Sequence, residues 1–251
     1  MPVIGPIGVV VVRQFISATV FFSIAKPRWR ELDGRTWAAV IGLGATLGTL
    51  SISVYAAIER IGLGLAVSIE FLGPLALAVL GSRRLIDFFG VVIAAIGVFV
   101  LVNPSPSSDY LGFGLAFIGA LAWATYILLN HRVGKRLPGL EGTSAANVIS
   151  LLVWAPVGVM WFSLHPPHLG AITLAVICGL LGSVVQYAAD IAALRRISPA
   201  LFSALASFYP VWAALIGWIL LGQSLELREW IGIVLIVGSN AIVTLAALHR
   251  S

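Results

Sequence analysis

Apolar residues run along the chain in nine long segments, which short polar, basic or Pro- and Gly-rich breaks separate. A helix needs about 20 apolar residues to cross a bilayer, and long runs without strict alternation favour helices over strands. Because the bilayer core offers no water to unpaired backbone groups, only helices or closed barrels span it. The pattern therefore predicts nine transmembrane helices, at about residues 5–25, 36–57, 63–81, 88–102, 110–130, 143–164, 170–193, 199–221 and 229–248.

The composition supports the same class of protein. The chain has 251 residues, of which 60% are hydrophobic and 10% charged, and its mean hydropathy is +1.05. A soluble domain carries about 25% charged residues. Nine helices take roughly 180 residues, and the short gaps leave no nucleotide-binding domain, which excludes a self-contained ATP-driven pump. The sequence predicts an all-α polytopic membrane protein.

The basic residues predict how the chain is oriented. If the nine helices alternate, twelve of the fifteen Lys and Arg residues lie in loops on one side, only Arg60 and Arg228 lie on the other, and Arg13 lies within a span. Cytoplasmic loops carry the excess of Lys and Arg. We therefore expect a cytoplasmic C-terminus and an external N-terminus. This distribution also explains the net charge of +5 without a nucleic-acid partner.

An internal repeat is visible at an offset of 136 residues. Ala56–Ile61 aligns with Ala192–Ile197, and without a gap Pro74 then aligns with Pro210. Identities among apolar residues arise easily by chance, but matched prolines at one depth favour a true repeat. The offset corresponds to an odd number of helices, so the two copies have opposite orientations. Inverted repeats of this kind are typical of secondary transporters.

The repeat divides the chain into two predicted parts. Residues 1–103 form a first repeat of four helices, and residues 110–251 form a second repeat of five helices. One helix before residue 5 would complete a plan of two inverted five-helix repeats and place both termini in the cytoplasm.

Arg13, Glu70 and Asp190 are charged residues within predicted spans. A charge near the bilayer centre costs about 2.5–3.5 kcal/mol, so Arg13 and Glu70 are expected to face the protein interior or a water-filled cavity. Their similar depths suggest a site in which Arg13 binds a substrate carboxylate and Glu70 binds an ammonium group or a proton. The alternative is a buried ion pair that only orients two helices. Asp190 is a second candidate for proton coupling, or it extends towards Arg195 and Arg196 at the membrane surface.

Two prolines predict broken helices beside these charges. Pro74, which follows Gly73, cannot donate the backbone hydrogen bond to the carbonyl of Glu70, and Pro210 leaves a carbonyl free in the other repeat. Free carbonyls at matching depths suit helices that line a substrate cavity, although an ordinary tolerated kink is the alternative. Neutral polar side chains complete this candidate substrate site: Tyr126, Ser207 and Tyr209.

The remaining reactive residues do not form a catalytic set. All four histidines lie in predicted loops or at the C-terminal tail, so no Ser/His/Asp or His/Glu site falls within the helices. The single cysteine, Cys178, excludes a disulfide scaffold or a multi-cysteine metal site. We therefore expect neither an enzyme nor a protein with a metal or cofactor.

Three stretches resemble one transporter family. Residues 62–76, followed by Ser82-Arg83-Arg84, closely resemble the EamA-type drug/metabolite transporters, specifically their threonine/homoserine exporter branch. Ala120–Leu128 looks like that family's start of the second repeat, and Leu220–Gln223 resembles its Leu-Gly-Glu turn with Gln in place of Glu. The resemblance implies ten helices in two inverted repeats and the export of small metabolites, usually coupled to an ion gradient.

The resemblance and the residues together predict a transporter of the bacterial inner membrane. We expect it to export threonine- or homoserine-like amino acids or related metabolites by proton antiport with alternating access. A small-molecule substrate, protons and membrane lipid are the expected partners, and a homodimer is compatible with the sequence. The alternatives are a multidrug or organic-cation exporter, which needs no Arg13, and a truncated paralogue that does not transport.

Two departures from the family pattern bear on these alternatives. The family's first helix is absent, which is compatible with a misplaced start, a truncation or a nine-helix variant. The branch usually has an acidic residue just before the second proline, where this chain has Phe208 and Tyr209. A substrate other than threonine or homoserine therefore stays open.

Overall fold

The computed structural model describes residues 4–80, 85–102, 109–167, 169–186, 189 and 209–248. These residues form helices joined by short turns, and each of the nine predicted segments is helical over most of its described residues. The helices are α1 (Gly5–Ile24), α2 (Gly34–Ile61), α3 (Leu63–Glu70), α4 (Leu72–Leu80), α5 (Leu85–Val102), α6 (Tyr110–Gly134), α7 (Glu141–Leu164), α8 (Leu169–Gly179), a π-helix (Leu180–Val185), α9 (Tyr209–Leu221) and α10 (Leu227–Leu248), with a 3₁₀ turn at Trp29–Glu31.

Four of these helices, α1, α2, α6 and α7, are by themselves long and apolar enough to cross a membrane. Many large apolar side chains point away from the protein core, with Leu121, Val159 and Leu220 exposed by 70%, 74% and 74%. A soluble protein rarely exposes so much apolar surface, whereas lipid covers it in a membrane. The predicted class, an all-α polytopic membrane protein, is confirmed.

Two aspartates begin helices outside the apolar segments. Asp33 accepts the backbone N–H of Thr36 at 3.0 Å, and Asp109 accepts that of Gly112 at 2.9 Å, which satisfies donors that a helix start leaves unpaired. Hydrogen bonds from Thr36 lower the pKa of Asp33, and the backbone hydrogen bond from Gly112 lowers the pKa of Asp109. The ionised carboxylates therefore stabilise the first turns of α2 and α6.

The chain divides into two compact units, and each contains residues of both predicted repeats. Unit 1 comprises residues 1–52 and 125–192, and unit 2 comprises residues 53–124 and 193–251. The boundaries of the repeats themselves stay a prediction.

In unit 1, α1 packs against α7, α8 and the π-helix. A side chain at Gly158 of α7 would overlap Val11 of α1, and one at Gly48 of α2 would overlap the Trp154 indole. Small residues at these positions let helices approach closely, which membrane helices use in place of a hydrophobic driving force. Unit 1 is thus held together by close packing.

In unit 2, the strongest pairings are α5 with α10 and α3 with α9. The Ser239 hydroxyl of α10 donates a buried hydrogen bond to the Gly90 carbonyl of α5. A Cβ on Gly64 of α3 would lie 3.0 Å from the Cα of Ala214 on α9. The α3–α9 contact places the end of α3, where Glu70 lies, within the packed part of this unit.

Candidate functional site

Arg13 lies in the middle of α1 and is half-buried within unit 1. Its Nε donates a hydrogen bond to the Ser183 hydroxyl at 2.9 Å, and one of its terminal nitrogens donates to the Gly182 carbonyl. The helices approach closely here, because a Cβ on Gly179 would lie 3.4 Å from the Arg13 Cα. The structure therefore fixes the orientation of this guanidinium.

Both of these Arg13 partners belong to the π-helix at Leu180–Val185. A π-helix pairs each carbonyl with an N–H five residues on instead of four, and single π turns within α-helices are frequent at functional sites. Ser183 is 3% exposed, so its hydroxyl is removed from lipid and solvent. The π turn presents a hydroxyl and a carbonyl side by side to the guanidinium.

Glu70 is the last residue of α3 and lies in unit 2, where the helix is interrupted. Phe71 separates α3 from α4, and Pro74 cannot donate the hydrogen bond that the Glu70 carbonyl would receive in a continuous helix. A Cβ on Gly119 of α6 would lie 4.0 Å from the Glu70 Cγ. The half-buried carboxylate thus lies beside a glycine of α6, at a break between two helices.

Gly73 lets this break lie against α6. A side chain there would overlap the Ala120 carbonyl oxygen and lie 3.0 Å from its carbonyl carbon. The Gly73-Pro74 pair therefore combines a close approach to α6 with a missing backbone donor.

Three aromatic rings lie next to the Glu70 break. The Phe71 ring meets the Trp123 ring edge to face at a centroid distance of 4.5 Å, and it meets the Tyr209 ring in the same way at 5.7 Å. Phe71 is only 3% exposed, whereas Tyr209 is 40% exposed. Aromatic faces attract cations, so rings near a carboxylate add to its attraction for an ammonium group.

The other predicted site residues fall in different places. Tyr126 belongs to unit 1, where it packs against the core of α2, α6 and α7 and its hydroxyl accepts a hydrogen bond from Asn130 at 3.4 Å. Tyr209 and Pro210 are the first two residues of α9. Asp190 and Ser207 lie outside the described residues. Arg13 and Glu70 belong to different units, and their pairing stays a prediction.

A separate cavity of about 390 Å³ lies in unit 2, where the α2–α3 turn meets the α9–α10 turn. Gln223 lines it and accepts the backbone N–H of Leu63 through Oε1 at 3.1 Å, so it caps the start of α3. The Glu229 carboxylate at the rim accepts the backbone N–H of Glu226 at 2.7 Å. Gln223 and Glu229 thus cap helices at this cavity, and Glu70 is not among the residues that line it.

Sequence reasoning missed Ser183 and Gly182, which accept hydrogen bonds from Arg13. The closely spaced Gly179 and Gly182 were a usable signal, because small residues mark close helix contacts in membranes. A lone serine in an apolar segment carries no such signal.

Comparisons with known proteins agree with this architecture. The family model for the EamA-like transporter family matches residues 110–245. The Threonine/homoserine exporter RhtA of Escherichia coli strain K12 is 29% identical over 254 residues, which cover 100% of this chain and 85% of that protein.

Two further relatives are similar. The Threonine/homoserine exporter RhtA of Salmonella typhimurium is 29% identical over 248 residues, covering 97% of this chain and 83% of that protein. The Uncharacterized inner membrane transporter YedA of Escherichia coli strain K12 is 27% identical over 168 residues, covering 65% of this chain and 54% of that protein. The matches point to a transporter and not to an enzyme. Since the family model covers more than half of the chain, this multi-pass membrane protein belongs to the EamA-like transporter family.

Proposed function

We propose that this protein exports small amino acids of the threonine or homoserine type, or related metabolites, across the inner membrane by proton antiport. Arg13 binds the substrate carboxylate, and Glu70 alternately holds the substrate ammonium group and a proton. The loops rich in Lys and Arg face the cytoplasm.

The observation that carries this proposal is the position of Glu70. It is half-buried at the end of α3, beside a helix break and within reach of α6. Broken helices form the substrate and ion sites of many secondary transporters, because their free backbone groups and helix ends meet the ligand. An ionisable group inside a membrane span is costly, which makes it a candidate functional residue.

The substrate class is supported by the relatives and by the opposite charges of Arg13 and Glu70. Two relatives with the name threonine/homoserine exporter are each 29% identical to nearly the whole chain. An amino acid carries one carboxylate and one ammonium group, for which a guanidinium and a carboxylate are the matching partners. Transport then requires Arg13 and Glu70 together.

The test uses the purified chain in proteoliposomes that are loaded with labelled amino acids. An imposed pH gradient should drive flux of one of them, and a proton uncoupler should stop it. Glu70→Gln should abolish pH-driven flux, because the amide has a similar shape but neither binds nor releases a proton in this pH range. Glu226→Gln is the matched control, because Glu226 is exposed and pairs with Arg228 at the surface, where an ion pair contributes little.

Two outcomes would count against the proposal. Retained flux in Glu70→Gln with an unchanged pH dependence would remove Glu70 from the coupling mechanism. A correctly inserted wild-type protein that moves no amino acid would exclude this substrate class.

The aromatic rings near Glu70 favour a second candidate, an exporter of organic cations. Phe71, next to the end of α3, contacts the rings of Trp123 and Tyr209, and aromatic faces suit a cation without a carboxylate. Such a transporter does not need the guanidinium. Export of an organic cation by Arg13→Ala at the wild-type rate, together with no amino-acid flux, would establish this alternative.

A further inference from the structure

We propose that the loop between α1 and α2 binds the headgroup of an anionic phospholipid, whose acyl chains lie against exposed apolar side chains of the two helices. The headgroup surface consists of exposed cations and two stacked rings: Lys26, Trp29, Arg30, Arg35 and Trp37. All five residues belong to unit 1. This binding is independent of the substrate that the protein transports.

Two tryptophans hold the loop against α2. The Trp29 and Trp37 rings stack at a centroid distance of 5.5 Å, and Trp29 also packs against the apolar cluster of α2, α6 and α7. Because Arg30 follows Trp29 and Arg35 lies two residues before Trp37, the stack brings both arginines to the same part of the surface. Tryptophan is enriched at the membrane–water interface, which is the level of the lipid headgroups.

Two ion pairs tie the loop to the region around the α6–α7 turn. The Arg28 guanidinium donates two hydrogen bonds to the Glu141 carboxylate, at 3.2 and 3.3 Å. Arg136 donates to an oxygen of Asp33 at 3.5 Å and to the Thr36 hydroxyl at 3.1 Å. These two carboxylates are therefore already bound by arginines, and the loop has cations in excess of them.

Three further cations of the loop are exposed: Lys26, Arg30 and Arg35. The first two form no hydrogen bond or ion pair with another residue that the structure describes, and the third contributes to the lowered pKa of Asp33. With Arg28 and Arg136 the surface has five cations, against three carboxylates when Glu31 is included, so its net charge is +2. Each Lys or Arg near an anionic membrane surface strengthens binding about fivefold.

The helix ends beside the loop carry exposed apolar side chains. Phe22 and Ile24 in the last turn of α1 are 41% and 63% exposed, and Ile41 in the second turn of α2 is 50% exposed. Lys26 follows Ile24 by two residues, so the basic and the apolar surfaces are continuous. A soluble anion would contact only the cations, whereas a phospholipid contacts both surfaces at once, which favours the lipid.

The test measures lipid binding to the full purified chain by native mass spectrometry from a neutral detergent. Phosphatidylglycerol, which is anionic, should bind at least about tenfold more tightly than zwitterionic phosphatidylcholine with the same acyl chains. Arg30→Gln/Arg35→Gln should remove most of this preference, because it removes two contributions of about fivefold each. Arg30→Lys/Arg35→Lys keeps the charge and should keep most of the preference.

The matched control is Arg132→Gln/Lys135→Gln, which removes the same charge from exposed positions at the end of α6 and just after it. It should leave the preference for phosphatidylglycerol unchanged. An equal fall in both glutamine variants would indicate a general attraction of anions to basic loops and would overturn the proposed site.

Two results with the wild type would also overturn it. Equal affinity for the two lipids would show that the headgroup charge is not recognised. Displacement of phosphatidylglycerol by inorganic phosphate at an equal concentration would show that the surface binds a soluble anion and not a lipid.

Discussion

Gly73→Ala is expected to damage the helix break beside Glu70 more than any surface change. In the structure a Cβ at Gly73 would overlap the Ala120 carbonyl oxygen and would lie 3.0 Å from the carbonyl carbon and 3.3 Å from the Cα. All three are backbone atoms of α6, which cannot rotate away as a side chain could. Carbon atoms pack at about 3.5–4.0 Å, so the α3–α4 break must move away from α6.

The size of the effect follows from this overlap. Forcing an extra methyl group into a packed site costs typically about 1–3 kcal/mol, against which the better helix propensity of alanine recovers up to about 1 kcal/mol. For a chain of this size 1 kcal/mol shifts the unfolding midpoint by roughly 2–4 °C. Because the overlap is with backbone atoms, we expect a cost at the upper end of this range, which leaves a net loss of about 1–2 kcal/mol. Gly73→Ala should therefore lower the midpoint by about 2–8 °C. Because Glu70 lies three residues away, we also expect a larger loss of transport than of stability.

The control is Gly114→Ala on α6, where a new Cβ meets no described heavy atom within 4 Å. It should leave the midpoint unchanged or raise it slightly. Unfolding can be followed in detergent through the reaction of a fluorogenic maleimide with Cys178, the chain's one cysteine, which is half-buried. If Gly73→Ala and Gly114→Ala had the same unfolding midpoint and the same transport rate, the inference that Gly73 packs tightly against α6 would be refuted.

Two further substitutions test helix caps. Gln223→Leu removes the acceptor for the Leu63 N–H, so hydrogen exchange at the start of α3 should become about five- to tenfold faster. Gln223→Glu keeps an acceptor and should keep the protection. Equal exchange in the wild type and both variants would exclude the cap. Hydrogen bonds from Thr36 lower the pKa of Asp33 below 3.8, so its contribution to stability is present above that pH and is lost as the pH falls through the lowered value. The unfolding midpoint of Asp33→Asn should therefore depend less on pH between 5 and 3 than that of the wild type, and parallel curves would contradict this.

The sequence predicted the helices well because hydropathy reports directly which segments prefer lipid. It predicted less well where those helices are interrupted. Residues 63–81 were expected as one helix, and the structure divides them at Phe71; residues 170–193 were expected as another, and the structure has a π turn at Leu180–Val185. Hydropathy depends on side chains, whereas an interruption depends on which carbonyl each N–H meets. Only proline, as at Pro74, makes that choice visible in a sequence.

In the candidate site, too, the sequence predicted the charged residues but not the groups that contact them. Arg13 and Glu70 were identifiable because a charge within an apolar span is too costly to be accidental, but the groups that orient them were not. A serine hydroxyl and a glycine carbonyl accept hydrogen bonds from Arg13, and Gly119 lies close to Glu70. Serine and glycine are common in membrane helices, where they serve ordinary close packing. A group that orients a charge is therefore harder to recognise from the sequence than the charge itself, because its residue type has the same place in a helix contact that binds nothing.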